Sequence, residues 1–185
     1  MLYTKKGDNG TTGTFGCDQR ISKSSAIAEA LGSLDEINSF LGLIKVKSEN
    51  TTFNLKSGKI IISETIDNIQ QDLFIIQAEL AGAEKAISEE KVKQLEEIID
   101  SIEKTLPPIK TFFVSGGTEL ATLSDIARTI ARRAERRVIA VTEEGKITIN
   151  KNTLAYLNRL SSILYAFARF FNHQANIKEE TPKYK

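Results

Sequence analysis

The chain has 185 residues, 41% of them hydrophobic and 26% charged, with a formal net charge of +1. That suits one globular domain with a proper core, and the near-zero charge argues against a dedicated nucleic-acid binder. A single cysteine, Cys17, and a single histidine, His173, exclude an internal disulfide framework and a Cys/His zinc site. No apolar run reaches the ~18 residues of a membrane span, and the N-terminus lacks a signal core. A cytoplasmic protein with no membrane partner is expected.

Residues 1–23 differ from the rest. Gly7, Gly10, Gly13 and Gly16 recur every three residues among Thr4, Thr11, Thr12 and Thr14. This spacing predicts neither helix nor strand but an ordered loop. Its glycines let backbone N–H groups approach anionic oxygens, and Lys5, Lys6 and Lys23 add charge. The order of a Walker A loop is absent.

A helical period then runs from about residue 24 to 46 through Ile27, Leu31, Leu34, Ile37, Leu41 and Ile44. Asp35, Asn38 and Gly42 form a stripe beside that apolar face, where a carboxylate needs a partner if it is buried. Residues 47–58 read as a polar connection. A long helix is predicted near 60–84, with Ile62, Ile66, Ile69, Leu73, Ile76, Leu80 and Ala81 on its core side. Ser88 then starts a helix with acids in its first turn, and Pro107-Pro108 ends it.

A short apolar run, residues 110–118, closes in Gly116-Gly117 and leads into a helix at about 118–142. This helix holds five arginines in ten residues: Arg128, Arg132, Arg133, Arg136 and Arg137. At about 100° per residue, Arg128, Arg132, Glu135 and Arg136 fall on one side and Ile126, Ile130, Ala134, Val138 and Val141 on the other. Guanidinium forks match phosphate oxygens two at a time. A solvated basic face and a nucleic-acid contact are the competing readings, and the neutral composition favours a small anionic ligand. After a turn at 143–146, a few residues at 147–149 alternate as a strand would. The last helix, about 153–174, contains Asn158-Arg159-Leu160-Ser161. His173 reads as a surface residue, and the charged tail, 177–185, as loose. The whole is an all-α, five-helix up-and-down bundle, 24–176, carrying an N-terminal Gly/Thr-rich loop.

Four motifs together carry a resemblance. They are residues 3–12 (Tyr3 to Thr12), residues 32–42 (Gly32 to Gly42), Gly116-Gly117 with residues 127–138, and residues 156–161 (Tyr156 to Ser161). In this order and spacing the chain resembles the PduO-type ATP:cob(I)alamin adenosyltransferases over nearly its whole length. The resemblance implies a homotrimer with sites between subunits, moving the 5′-deoxyadenosyl group of ATP onto cob(I)alamin and releasing triphosphate. It implies ATP contacts at Thr4, Lys5, Lys6, Gly7, Thr12, Gly13, Lys23, Arg132, Arg133, Glu135, Arg136 and Asn158. It also implies a pairing of Asp35 with Arg128 across the interface, and Phe112 below the corrin, displacing the lower ligand of cobalt. Magnesium would come with ATP and hold no dedicated protein site. A reductase and a downstream adenosylcobalamin-dependent enzyme are the implied partners.

The chain departs from the family pattern at several positions. Ser115 stands for a proline, Asp125 for a histidine, Ser124 for an apolar residue and Ser162 for an aspartate, while Gly13 takes a place that more often carries a hydroxyl or arginine. These departures leave a non-catalytic ATP- or corrinoid-binding bundle as the alternative reading.

Overall fold

A computed structural model describes residues 2–14, 20–55, 58–145 and 147–184. Five helices form the body: α1 (Ala26–Lys47), α2 (Ile62–Leu80), α3 (Glu89–Glu103), α4 (Glu119–Glu143) and α5 (Lys151–Gln174). Helix α1 lies between α2 and α4, and α5 lies between α4 and α3. The central pair, α4 and α5, is therefore braced on both sides, and it carries Arg128, Arg132, Arg133, Glu135, Arg136 and Asn158.

Local chemistry accounts for the helix ends. The hydroxyls of Ser25, Ser88 and Thr118 and the side-chain carbonyl of Asn150 accept first-turn N–H groups of α1, α3, α4 and α5. Helix α2 has no side-chain cap; its first N–H, from Ile62, donates to Thr51 O at 3.0 Å. It also stops at Leu80, short of the predicted residue 84. Gly82 sits at φ +92, Ala83 N–H reaches Ala78 O and Gly82 N–H reaches Glu79 O, both at 2.9 Å. This is the 6→1, 5→2 pattern that closes a helix on a glycine.

The core is the row of apolar positions that the helical period marks, with Leu34, Ile37, Leu41, Ile66, Leu73, Ile76, Leu157, Leu160 and Phe167 fully enclosed. Each such side chain contributes about 1.5–3 kcal/mol by leaving water. One expectation fails on α4: Ile126 is 42% exposed, whereas Ala127 and Ala131 are enclosed. The packed stripe centres on 127, 131, 134 and 138, which puts Ile126 about 110° off its axis.

The buried carboxylates of α2 are paired, whereas Gln77 Nε2 is enclosed with no partner among the described residues. Asp72 on α2 takes the Tyr156 hydroxyl at 2.9 Å and the Lys91 ammonium. Glu79 accepts from Thr153 Oγ1 and Asn150 N–H, both at 2.6 Å. These bonds tie α2 to α5 and satisfy carboxylates that would be costly to bury alone.

The five-helix bundle is as expected, and two short β-hairpins, which the sequence did not predict, stand beside it. Strands β1 (Thr11–Gly13) and β2 (Arg20–Ser22) pair antiparallel with Thr12 opposite Ile21. Strands β3 (Thr52–Leu55) and β4 (Gly58–Ile61) pair with Phe53 opposite Ile60. Three- and four-residue strands are too short to show a period, but their β-branched and aromatic content suits them. Phe53 packs edge-on against Phe170 at 5.1 Å, which seats the second hairpin on α5. Residues 147–149 form no strand; Ile149 is buried and Ile147 packs on the core. Gly16 and Cys17 of the N-terminal loop lie outside the described residues.

Candidate functional site

Helix α4 distributes its arginines between two tasks. Arg133 contacts Glu36, and Arg137 Nε lies 3.4 Å from Glu29, both on α1. Arg128 donates from Nε to Asp125 Oδ1 at 2.6 Å, and its guanidinium carbon lies 5.8 Å from the Tyr165 ring centroid. Among the described residues, Arg132 and Arg136 have no carboxylate partner, and both are exposed. Arg133, which the resemblance places at the nucleotide, contacts Glu36 of α1 through Nη2 within this chain.

Beside these guanidiniums, Asn158 Nδ2 donates to Glu135 Oε1 at 3.0 Å. Arg159 Nη1 donates to Asn158 Oδ1 at 2.8 Å, and Arg159 Nε to Glu96 Oε1 at 2.8 Å. A chain of hydrogen bonds thus fixes Glu135 and Asn158 relative to each other across the α4–α5 seam. The sequence reading brought Glu135, Arg132, Arg136 and Asn158 together, and the fold places them on adjoining helices. It missed the roles of Arg159 and Glu96, whose partners lie 63 residues apart along the chain.

The N-terminal segment forms its own cluster. Turns bond Asp8 N–H to Lys5 O and Gly10 N–H to Gly7 O, with Lys5 at φ +58. Lys23 N–H donates to Gly10 O at 2.9 Å, and a side chain added at Gly7 would stand 3.2 Å from the Lys23 ammonium. Lys5, Gly7 and Lys23 are therefore near neighbours, with Thr12 and Gly13 on β1 and Thr4 and Lys6 exposed. Among the described residues, no hydrogen bond or ion pair joins this cluster to Arg132, Arg136 or Asn158. One chain thus presents two cationic surfaces with no bonded link between them.

A cavity of about 640 Å³ opens between residues 109–116, α4 and α5. Arg132 lines it as well, so the free guanidinium face and the cavity share a border. Phe112 is 78% exposed on the cavity wall, flanked by exposed Ile109 and Val114. A phenylalanine in that position is not core; it offers an apolar face to whatever enters.

Three anchors hold the wall. Asn172 on α5 accepts from Thr118 N–H and donates to Gly116 O, each at 2.9 Å. Gly117, at φ +104, is required there, because a β-carbon would fall 2.1 Å from Asn172 Oδ1. Val114 N–H donates to Glu180 O at 2.8 Å. The third anchor is the Ser115 hydroxyl bonded to Asp125 Oδ2. Burial pushes the Asp125 carboxyl up, but hydrogen bonds from Arg128 and Ser115 and the Arg128 charge outweigh it and leave the group below its ordinary value.

The tail was expected to be loose, yet Glu179 accepts two bonds from Arg169 at 2.8 Å, and Arg169 also donates to Pro107 O at 2.9 Å. Arg169 is only 4% exposed. A buried guanidinium demands such a partner, which is why the tail docks. An arginine and an asparagine inside the apolar run of residues 163–172 were the available signal.

Asp35 is exposed and has no partner among the described residues. No group of three or more His, Cys, Asp or Glu side chains able to hold a metal occurs among the described residues, and none of the helices is long and apolar enough to cross a membrane.

Arg132, which has no carboxylate partner among the described residues, borders a large, partly apolar cavity on the α4–α5 side of a helical bundle. Residues 2–171 match the family model described as cobalamin adenosyltransferase, and the chain belongs to that family. It is 38% identical over 180 residues to the corrinoid adenosyltransferase of Bacillus subtilis (strain 168), covering 95% of this chain and 89% of that protein. It is 37% identical over 182 residues to the corrinoid adenosyltransferase PduO of Citrobacter freundii, covering 95% of this chain but 51% of that protein. The chain thus spans about half the length of that relative. Among solved structures it is similar to a phenylalanine-to-histidine variant of the PduO-type ATP:corrinoid adenosyltransferase from Lactobacillus reuteri complexed with cobalamin and ATP. That match has a TM-score of 0.86 and 31% identity, covering 100% of this chain and 97% of the other.

Proposed function

We propose that this protein transfers the 5′-deoxyadenosyl group of ATP to the cobalt of cob(I)alamin, releasing triphosphate. The observation that carries the reading is the shared border of the Arg132–Arg136 face and the 640 Å³ cavity with Phe112 on its wall. A polyphosphate on the guanidiniums brings its adenosyl end toward a corrinoid in the cavity.

In the reaction the cobalt(I) electron pair forms a bond to the ribose 5′ carbon. The carbon–oxygen bond to triphosphate breaks, and its pair leaves on the triphosphate oxygen. Cobalt(I) is a strong nucleophile, so no side-chain base is needed. The protein contributes positioning and neutralisation of the leaving charge. Arg132 and Arg136 neutralise the triphosphate, assisted by Lys5, Lys6, Lys23 and the backbone around Gly7, Thr12 and Gly13. Glu135 holds Asn158 in place toward the nucleoside. Magnesium would supply further charge to neutralise the phosphates, arriving with ATP and not on a dedicated protein site. Phe112 presents a ring with no lone pair to the lower face of cobalt, so the vacated axial position gains no new ligand.

The complete site lies between copies in a homotrimer. Asp35 lacks a partner among the described residues, and Leu43, Val46, Phe74 and Ile126 are exposed apolar side chains available to an interface. The N-terminal cluster, which among the described residues makes no bond to Arg132 or Arg136 of its own chain, serves a site completed by a neighbour. A cytoplasmic setting, a reductase that supplies the electron and an enzyme that consumes adenosylcobalamin complete the reading. Incubation with ATP, magnesium and chemically reduced cobalamin tests it. The absorbance should change to that of adenosylcobalamin, and binding of both ligands without that change would leave only a carrier.

A further inference from the structure

Ser115 and Asp125 lie ten residues apart and are two of the positions where this chain departs from the family pattern; the fold puts them in contact. Asp125 is largely enclosed, with 13% of its side chain exposed. Both of its oxygens are used. Oδ1 accepts from Arg128 Nε at 2.6 Å, and Oδ2 accepts from the Ser115 hydroxyl. Arg128 is in turn stacked toward Tyr165, and all four residues line the cavity.

The wall that Asp125 touches has no regular structure of its own. Residues 107–114 belong to no helix or strand, and Phe112 projects from them with 78% of its surface exposed. An exposed ring makes too few contacts to fix its own position, so its placement depends on the anchors that follow it. These are Val114 to the tail, Ser115 to Asp125, and Gly116 to Asn172. Asp125 is the anchor that joins this wall to α4, and the same carboxylate sets the direction of Arg128.

Resting on the function proposed above, we infer that Asp125 is a positioning residue of the corrinoid side, holding the Phe112 wall through Ser115 and aiming Arg128 along the cavity. Its effect reaches one substrate and not the other. Arg132, Arg136, Glu135 and Asn158 make no bond to Asp125, so the nucleotide side does not depend on it. The Ser115 hydroxyl and the Asp125 carboxylate act as one unit.

Asp125→Asn, Ser115→Ala and the double variant test this by two separate titrations, one with ATP and one with cob(II)alamin in the presence of MgATP, alongside turnover. Loss of one charge-assisted anchor should weaken cob(II)alamin binding about tenfold in Asp125→Asn, with ATP affinity changed less than about twofold. Ser115→Ala should weaken it less, and the double variant should be no worse than Asp125→Asn alone. Equal losses for the two ligands, unchanged cob(II)alamin affinity, or multiplying effects in the double variant would overturn the inference. A wild-type protein that binds both ligands without forming adenosylcobalamin contradicts the proposed activity, and the affinity ratios still decide the role of Asp125.

Discussion

Gly117→Ala is the substitution whose cost can be worked most fully from the geometry. The residue sits at φ +104, where an L side chain is strained by about 1–3 kcal/mol. Its new methyl group would meet Asn172 Oδ1 at 2.1 Å and Cγ at 2.6 Å, so the Asn172 amide must swing away. Two bonds go with it, from Thr118 N–H and to Gly116 O, each contributing about 1 kcal/mol. The sum is about 3–5 kcal/mol, which lowers the melting temperature of a chain this size by roughly 6–20 °C. Thermal unfolding followed by circular dichroism measures it. Asn172→Ala in the same background should recover part of the loss by removing the clash, although both hydrogen bonds are already gone. A Gly117→Ala protein melting within about 2 °C of wild type would refute the assigned packing.

Arg132→Ala should weaken ATP by about tenfold or more while cobalamin affinity falls less, as measured by separate titrations; equal losses would count against placing triphosphate on that guanidinium. Asp35→Asn should loosen the trimer and reduce turnover together, read by analytical ultracentrifugation and the adenosylation assay, and a variant unchanged in both would remove Asp35 from the interface. Burial, then the charge of Asp72 and the bond to it, pushes the Tyr156 phenol far above its ordinary value. The folded protein therefore keeps a proton that the unfolded chain releases above pH about 10, so stability should fall with pH there, and Tyr156→Phe should flatten that slope. The Asp125 carboxyl is depressed, so its contacts persist above the ordinary carboxylate range and are lost only as the pH falls through its lowered value. Corrinoid affinity should accordingly show no Asp125-dependent step between about pH 5 and 8.

The helices were legible because four to seven turns of apolar period leave little ambiguity, and Ser88 caps α3 as its chemistry dictates, although the helix stops at Glu103, short of Pro107. The hairpins escaped because strands of three or four residues, such as Thr11–Gly13, carry no period to read. Helix α2 ran long in the sequence reading because nothing local shows that Gly82, rather than a later residue, takes the left-handed position. At the site, the residues carrying fixed charge on one helix face were readable, and Arg132, Glu135 and Arg136 stand where the period put them. Their engagements were not. Arg133 is held by Glu36, 97 positions away, and Arg128 is held by Asp125 on its own helix. The docking of Glu179 on Arg169 depends on the enclosure of Arg169 between elements far apart in the chain, which no local pattern reports.

Product stoichiometry tests the central claim most directly. The protein is incubated anaerobically with ATP, magnesium and cob(I)alamin, and both products are quantified after quenching. The account expects adenosylcobalamin and intact triphosphate in equal amounts. ATP consumed to diphosphate and phosphate with no adenosylcobalamin, or both ligands bound and neither changed, would contradict it.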